Sequence, residues 1–539
     1  MSLDDLALFL QRLMDRFVRW VRLGARPARG GRRLLIVQID GLPRSVLERG
    51  LREGRMPFLA RLVERRGFGL LPMTVGLPTS TPAFQLSAMY GVRPDIPGFH
   101  YHDKGHRRDV YFPRAGDASF VEAAQTGGRP GILLGGSAYG CVFTGGAQNN
   151  LYNFATITRP TGAGLARALA AVVILSWVTL KCVALSAFEL TRAAARLVAD
   201  PVNDPARRFK MLMIKLGLSV WVRELFTLAV SRDLYLGVPA IYVNYLDYDV
   251  MAHAYGPRHR RARRALRRID RSIHQLWRVI RRVPEHGYDL YVLSDHGQTS
   301  TVPYPTLTGG RPIERLLFDE FFDGGRARSA LEGARGHRLM QELRALRAQR
   351  RHGLVQRFLN YLERDFLSRL TEPRETHERD GVRVISAGPN AFVYFLDEPA
   401  ALAIERIDER HPGLAEDISR SRGIGFVLAR SAQGPVCSWR GKRYALHELG
   451  DGPFAGRADL AIVTDGIRDL MAMPSAGDLV IYGHGAPEGD VSFIPERGAH
   501  AGPSAEELQT FVLHPPNVRL PEPLVHPVQL YDHFIRYHA

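Results

Sequence analysis

Short apolar runs rich in β-branched residues recur along the chain, with longer segments of helical periodicity between them. Four runs are typical of strands in a parallel sheet that is buried on both faces: residues 34–39, 240–246, 290–294 and 479–482. Residues 262–283 instead repeat apolar positions at helical spacing, opposite a face of arginines. The alternation predicts an α/β fold with a mostly parallel central sheet flanked by helices.

Two further apolar stretches, residues 169–180 and 211–230, are bounded or broken by charged residues. Neither contains the roughly 18 or more uncharged residues that a membrane-spanning helix needs. Two interpretations stay open for this hydrophobic helical insertion, residues 160–235. It is a helical hairpin that lies on or dips into a bilayer, or it is a pair of buried core helices.

The remaining patterns divide the chain into further segments. Residues 1–30 predict a basic amphipathic helix, either docked on its own domain or lying on a membrane. They lack the features of a signal peptide, so we expect the protein in the cytoplasm or on the cytoplasmic face of a membrane. The segments that follow are a core at 31–310, a charged helical insertion at 311–380, a smaller α/β cap at 381–470 and a return to the core at 471–539.

Composition narrows the choice of partners. The chain has 539 residues and a formal net charge of +17, and only five of its 72 basic residues are lysines. Such a charge attracts anions, and we expect an anionic membrane surface as a partner. Specific nucleic-acid binding is not expected, because aromatic residues do not interleave with the basic runs. The three cysteines are far apart and have no CxxC spacing, so neither a disulfide framework nor a thiolate zinc site is suggested.

Acidic residues and histidines follow three of the predicted strands. Asp40 ends the first, Asp247 and Asp249 follow the second, and Asp295 and His296 follow the third. Carboxyl ends of parallel strands meet at one edge of a sheet, where converging carboxylates repel one another unless a cation bridges them. His253 lies four residues after Asp249, on the same face of a helical turn. Oxygen and imidazole ligands without thiolate suit Zn²⁺ in a catalytic site, or Mn²⁺.

Three hydroxyl residues, Thr79, Ser80 and Thr81, stand between two prolines in the stretch LPTSTPAFQL. Taken alone, this pattern indicates a turn that leads into a helix starting near Pro82, because hydroxyls cap helices and proline suits the first helical position.

The motifs together resemble a known family. In order along the chain they read IDG, MPFLARL, PTSTPAFQLSAMYGVRPDIPG, DVMAHAYGP, SDHG and GAHAGPS. This order resembles the alkaline phosphatase superfamily, most closely its nucleotide pyrophosphatase/phosphodiesterase (type I phosphodiesterase) branch. The resemblance covers residues 33–101, 239–298 and 477–504.

The resemblance implies a two-metal hydrolase of phosphate-ester or pyrophosphate substrates. Thr81 falls on the nucleophile position, which implies a phosphothreonine intermediate. The implied ligands are Asp40, Asp295, His296 and Thr81 for one divalent ion, and Asp249, His253 and His500 for the other. Zinc is the expected metal, with manganese as the alternative. Activity is expected at a membrane surface.

Several positions depart from the family pattern or leave a choice. An asparagine that contacts phosphate in phosphodiesterase members is replaced in the stretch GFHYHDK by His102 and Asp103, so His102 is the candidate substrate-binding residue. His484 competes with His500, and the role of Asp247 is open. Alternatives are a phosphomonoesterase, a phospholipid-headgroup phosphohydrolase or phosphotransferase, and a non-catalytic membrane-associated binding protein.

Overall fold

The computed structural model describes residues 31–151, 179–180, 182–187, 190–191, 215–322 and 377–538. The predicted helix at 1–30, much of the hydrophobic insertion and most of the charged insertion lie outside the described residues. The strands are β1 Arg33–Ile39, β2 Gly69–Thr74, β3 His100–Asp103, β4 Arg108–Tyr111, β5 Ser137–Tyr139, β6 Asn149–Leu151, β7 Ala240–Tyr245, β8 Tyr288–Leu293, β9 Thr299–Ser300, β10 Val302–Pro303, β11 His377–Arg379, β12 Val382–Ser386, β13 Asn390–Phe395, β14 Phe426–Ala429, β15 Val436–Trp439, β16 Lys442–Ala445, β17 Leu479–Tyr482, β18 Val491–Ser492, β19 Gly498–Ala499 and β20 Gln509–His514.

The helices pack on the faces of these sheets. The α-helices are α1 Arg44–Arg52, α2 Pro57–Arg66, α3 Thr81–Tyr90, α4 Ala115–Gln125, α5 Arg223–Leu236, α6 Asp247–Tyr255, α7 Arg260–Ile280, α8 Tyr304–Leu307, α9 Ile313–Leu317, α10 Ile404–Arg410, α11 Leu414–Ile418, α12 Leu460–Ala472, α13 Ala505–Leu508 and α14 Val528–Phe534. Shorter 3₁₀ and π turns occupy Lys215–Val222, Pro284–His286, Phe318–Phe322, Leu446–Asp451 and Ile535–His538.

The central sheet has seven strands in the order β2-β20-β8-β1-β7-β5-β6. β8, β1, β7, β5 and β6 pair in parallel, while β20 pairs antiparallel with both β8 and β2. Three of the predicted strands are therefore neighbours, in the order β8-β1-β7. The prediction of an α/β fold with a mostly parallel sheet is confirmed.

Both faces of this sheet are covered, which explains the unbroken apolar runs of its strands. Along β1, Leu34 and Ile36 pack into one hydrophobic cluster, and Leu35 and Val37 into another on the opposite face. The second cluster includes the apolar face of α7, where the predicted positions Leu266, Ile269, Ile273, Leu276 and Ile280 are all buried. The helical periodicity at 262–283 is confirmed.

A second sheet is wholly antiparallel and has the order β11-β12-β13-β17-β14-β15-β16. Its central strand is β17, so the expectation that residues 479–482 belong to the parallel sheet is wrong. The apolar run is nevertheless explained, because β17 is buried on both faces, in the cluster shared with the central sheet and in a third cluster behind it. The domain boundaries given above stay predictions.

The described end of the hydrophobic insertion is part of the core. α5 buries Phe226, Val230 and Leu234 against the same face of the central sheet as α7. The C-terminal end of the insertion is therefore a core helix, and both interpretations of the rest of the segment stay predictions. Among the described residues, no helix is both long enough and apolar enough to cross a membrane.

Candidate active site

Side chains from three neighbouring strand ends and one helix start converge at one edge of the central sheet. Asp40 directly follows β1, and Asp295 and His296 follow β8 after Ser294. Thr81 is the first residue of α3, with Pro82 at the next helical position. Oxygen or nitrogen atoms of Asp40, Asp295 and His296 all lie within 4.8 Å of one another.

The Thr81 hydroxyl lies inside this first group. Thr81 Oγ1 is 3.1 Å from His296 Nε2 and 3.5 Å from Asp40 Oδ1. His296 Nε2 is in turn 3.3 Å from Asp295 Oδ2 and 3.7 Å from Asp40 Oδ1. All four residues are buried. The four residues that the resemblance assigns to the first metal ion, Thr81 included, thus lie together in one compact cluster.

A second group adjoins the first. Asp249 and His253 lie on α6, with His253 Nε2 3.4 Å from Asp249 Oδ1. His500 follows β19, and its ring stacks on that of His296 with centroids 3.7 Å apart. Asp249, His296 and His500 again offer atoms within 4.8 Å of one another. His296 is therefore shared between the two groups, which the sequence assignment to separate sets of ligands did not anticipate.

The three histidines have the same orientation. His296 Nδ1 is 3.0 Å from the carbonyl of Gly297, His500 Nδ1 is 2.8 Å from that of Thr79, and His253 Nδ1 is 2.9 Å from that of Gly498. A carbonyl oxygen can only accept, so each Nδ1 carries a proton and Nε2 is the nitrogen left for a cation. This arrangement fixes the tautomer of a metal-ligating histidine. Despite burial, the charges of Asp249 and Glu496 raise the pKa of His253 well above its usual value, so its Nε2 must lose a proton before it can bind a cation.

The carboxylates of Asp40, Asp249 and Asp295 are close together and largely shielded from solvent, which shifts their pKa values. Burial, together with the charges of Asp295 and Asp249, raises the pKa of Asp40 well above its usual value. Burial also raises the pKa of Asp295. For Asp249, burial is outweighed by its histidine neighbours, His253 above all, and its pKa is lowered. Burial and the neighbouring rings lower the pKa of His500, which keeps it neutral, as a ligand must be.

This donor set fits divalent cations. Asp295 Oδ2 is buried and has no hydrogen-bond partner among the described residues, although hydrogen bonding is the rule for such atoms. A cation between Asp40, Asp295 and His296 would satisfy this atom and remove the repulsion between the carboxylates. The groups consist of carboxylate oxygens and imidazole nitrogens, which suit zinc or manganese.

The two hydroxyl residues before Thr81 have different surroundings. Thr79 Oγ1 donates to the carbonyl of Gly502 and accepts from the N–H of Ala501, so it holds the loop that carries His500. Ser80 caps α3 through its backbone, and its hydroxyl is buried with no partner among the described residues. Of the three hydroxyl groups, only that of Thr81 contacts candidate ligands among the described residues.

The position directly after Asp40 requires a glycine, Gly41, because the two groups of candidate ligands approach each other closely there. Its φ is +66°, and a Cβ there would lie 2.5 Å from Asp249 Oδ1. Its N–H donates to Asp295 Oδ1 over 3.2 Å. Any side chain at this position would displace Asp249 as well as strain the backbone.

Two residues around the ligands escaped the sequence analysis. Glu496 Oε2 lies 2.8 Å from His253 Nδ1, while its other oxygen accepts from the Ser492 hydroxyl over 2.6 Å. The Gln298 amide donates to the Asp249 carboxylate. Gln298 stands only two residues after His296, a signal that could have found it, whereas no spacing connects Glu496 with His253.

Four residues that the sequence singled out lie apart from the cluster. The ring of His102 contacts Asp109 at 2.7 Å and Arg383 at 2.9 Å, and none of its described contacts is with a candidate ligand. His484 pairs with Asp490 at 2.8 Å, so the described geometry favours His500 as the late ligand. Asp247 accepts from Arg223 over 3.3 Å in a buried ion pair. Asp103 accepts from the N–H and ring of His106.

Comparisons with known proteins agree with the resemblance. The family model described as type I phosphodiesterase / nucleotide pyrophosphatase matches residues 204–358, which contain Asp249, His253, Asp295 and His296. No curated protein matches the chain. The predicted resemblance to the type I phosphodiesterases / nucleotide pyrophosphatases is confirmed over these residues.

Two solved structures illustrate the wider likeness. Phosphonoacetate hydrolase from Sinorhizobium meliloti 1021, in complex with phosphonoacetate, is 14% identical, with 96% of this chain and 98% of that chain covered and a TM-score of 0.47. Murine ectonucleotide pyrophosphatase / phosphodiesterase 5, an inactive form in complex with AMP, is 12% identical, with coverages of 94% and 95% and a TM-score of 0.45.

Proposed function

We propose that the chain, which matches the type I phosphodiesterase / nucleotide pyrophosphatase family model over residues 204–358, is a phosphoric ester hydrolase. In this proposal it cleaves phosphodiesters or pyrophosphates with Thr81 as the nucleophile. Two divalent ions, zinc in our proposal and manganese as the alternative, would be held by the two adjoining groups. The first is Asp40, Asp295, His296 and Thr81. The second is Asp249, His253 and His500.

The observation that carries this proposal is the position of one hydroxyl. Thr81 Oγ1 lies 3.1 Å from His296 Nε2, at the start of a helix and among carboxylates that need a cation. A threonine hydroxyl is protonated at neutral pH and needs activation before it can attack phosphorus. The adjoining groups suit such activation, whereas the partnerless Ser80 hydroxyl has no comparable surroundings.

The proposed reaction is a double displacement. Thr81 Oγ1 attacks phosphorus, the bond to the leaving oxygen breaks, and a phosphothreonine forms. Attack by water then releases the phosphate product and restores the hydroxyl. Divalent cations in the two groups would supply Lewis acidity for the attacking and leaving oxygens. The chain itself contributes the N-terminal end of the ten-residue helix α3, whose dipole favours an anionic phosphate beside Thr81.

The substrate class and location are also part of the proposal. Substrates are phosphate esters or pyrophosphates, consistent with the family match. We propose that the protein acts in the cytoplasm or at the cytoplasmic face of an anionic membrane. His102, which contacts Asp109 and Arg383, stays a prediction as a substrate-binding residue.

The test combines metal analysis with two chromogenic esters. We expect about two zinc or manganese ions per chain, with cleavage of bis-p-nitrophenyl phosphate faster than of p-nitrophenyl phosphate and abolished by a chelator. Faster cleavage of the monoester would replace the proposal with a phosphomonoesterase. Absence of both metal and turnover, even after Zn²⁺ or Mn²⁺ is added, would point to a non-catalytic binding protein.

A further inference from the structure

Three helices on one face of the central sheet have an unusual charge balance. α1, α2 and α7 all pack their apolar sides into the same hydrophobic cluster. Together they contain fourteen arginines but only three carboxylates, Glu48, Glu64 and Asp270. We call the solvent side of these helices the arginine face.

The arginines of α7 form a continuous stripe. Arg260, Arg264, Arg267 and Arg271 follow one another at spacings of four, three and four residues, which aligns them along one side of the helix. All four are exposed, as are Arg49 and Arg52 on α1 and Arg61, Arg65 and Arg66 on α2. Arg49 also lines a recess together with Arg258 and Arg263, so the basic surfaces of α1 and α7 meet.

The few carboxylates do little to reduce this charge. Asp270 is buried and accepts the N–H groups of Phe58 and Leu59 at the start of α2, so it faces the interior. Glu48 pairs with Arg44 on its own helix. Arg260, Arg264 and Arg267 have no ion pair with any residue that the structure describes. Guanidinium groups therefore dominate the potential over this face.

Three exposed arginines outside the face each have a carboxylate partner on the same helix or turn. Arg406 pairs with Glu409, Arg420 with Asp417 and Arg468 with Asp465, each partner three residues away. The fourteen arginines of these three helices exceed their three carboxylates by eleven charges, against a net charge of +17 for the whole chain.

We infer that the arginine face docks the protein onto a bilayer that contains anionic phospholipids. Charge complementarity identifies the occupant, because a row of exposed guanidiniums matches the phosphate groups of a lipid surface. A duplex nucleic acid offers phosphates too, but the exposed side chains of this face include no row of aromatics on which bases could stack. The inference does not rest on the catalytic proposal.

Two triple variants of the full chain test it. The face variant is Arg260→Gln with Arg264→Gln and Arg267→Gln. The matched control is Arg406→Gln with Arg420→Gln and Arg468→Gln, which removes the same number of charges from exposed arginines outside the face. Co-sedimentation is measured with phosphatidylcholine vesicles that contain either about 30 mol% phosphatidylglycerol or no anionic lipid, at about 0.1 M salt.

The wild type should bind the anionic vesicles and not the neutral ones. Each basic residue near such a surface contributes roughly a factor of five in binding, so the face variant should bind about 100-fold more weakly. The affinity of the control variant for anionic vesicles should stay within about threefold of that of wild type, since its arginines lie outside the face that docks on the membrane. Hydrolysis of soluble bis-p-nitrophenyl phosphate should be unchanged in both, which separates this test from that of the active site.

Three outcomes would overturn the inference. Equal binding by wild type and the face variant would assign docking to another part of the chain. An equal loss in both triple variants would mean that net charge, not this face, determines binding. A face variant that keeps vesicle binding but loses binding to a 20-base-pair duplex of about equal charge density would identify nucleic acid as the partner.

Discussion

Thr81 and Ser80 are adjacent hydroxyl residues that the sequence alone does not separate, yet their surroundings differ completely. Thr81→Ala should lower turnover by at least about 1,000-fold, because the attacking oxygen is removed. Ser80→Ala is the matched control, since its hydroxyl has no partner among the described residues. Initial rates on bis-p-nitrophenyl phosphate and metal content are measured for both.

The metal content of Thr81→Ala should stay close to that of wild type, because three other groups remain around the first site. Full activity in Thr81→Ala would contradict the assignment of the nucleophile. A loss in Ser80→Ala as large as that in Thr81→Ala would contradict it as well.

Glu496 contacts a candidate metal ligand, His253, and we expect it to affect the affinity for metal. Its carboxylate lies 2.8 Å from His253 Nδ1 and orients Nε2 toward Asp249. Glu496→Gln should weaken metal binding by about 10- to 100-fold, as loss of such a partner typically does. The measurement is a competition with a chromophoric chelator.

Glu506→Gln is the control for Glu496→Gln, because it removes the same charge from a carboxylate that pairs with Ser45 and Arg258 instead. Metal affinity should be unchanged in this control. Unchanged affinity in Glu496→Gln would remove Glu496, and with it the orientation of His253, from the account of the second group.

At the level of elements, the nucleophile helix is joined to the strand that carries Asp40. Gln85, one turn after Thr81 on α3, donates to Gln38 on β1 over 3.1 Å and accepts the N–H of Val142 over 2.8 Å. Both glutamines are fully buried. The contact fixes the position of α3 relative to β1, and so that of the Thr81 hydroxyl relative to Asp40.

Gln85→Leu should therefore lower both stability and kcat. It leaves the buried N–H of Val142 without its partner and removes one of the two donors to the Gln38 amide oxygen, which keeps the Tyr242 hydroxyl. We expect a cost of about 2 kcal/mol in the free energy of unfolding. Leu86→Ala, on the same helix but in the apolar core, should lose about 2–5 kcal/mol while kcat changes little. Urea denaturation and kcat under folding conditions are compared. A normal kcat in Gln85→Leu would show that this contact is only structural.

The elements also show what the sequence could and could not predict. β1, β7, β8 and α7 follow from apolar periodicity, because burial on both faces or on one helical face leaves a clear pattern. β17 has the same pattern but pairs antiparallel in the second sheet, and an apolar run carries no information on the direction of its partners.

The candidate site likewise contains residues that the sequence predicts and residues that it does not. Asp40, Asp249, Asp295 and His296 were found because strand ends and helical spacing bring them to one edge. Glu496 and the Gln38–Gln85 contact were missed, because their partners lie far away in sequence and only the folded chain brings them together. The shared position of His296 depends likewise on a ring stack with His500, which no spacing indicates.

At the scale of the whole molecule, the candidate ligands connect distant parts of the chain, from Asp40 to His500. Cations bound there would therefore stabilise the folded state against unfolding. With free metal at 1,000 times its dissociation constant, the gain is about 4 kcal/mol per site. We expect a chelator to lower the melting temperature of the wild type and re-addition of zinc or manganese to restore it.

Two histidine variants decide whether His500 or His484 is the ligand through which metal binding stabilises the folded chain. In His500→Ala, chelation should change the melting temperature much less than in wild type, because a ligand of one group is missing. In His484→Ala the full change should persist, since His484 pairs with Asp490 away from the cluster. The reverse result would exchange the two histidines, and the ring stack of His500 on His296 would then be packing without a role in metal binding.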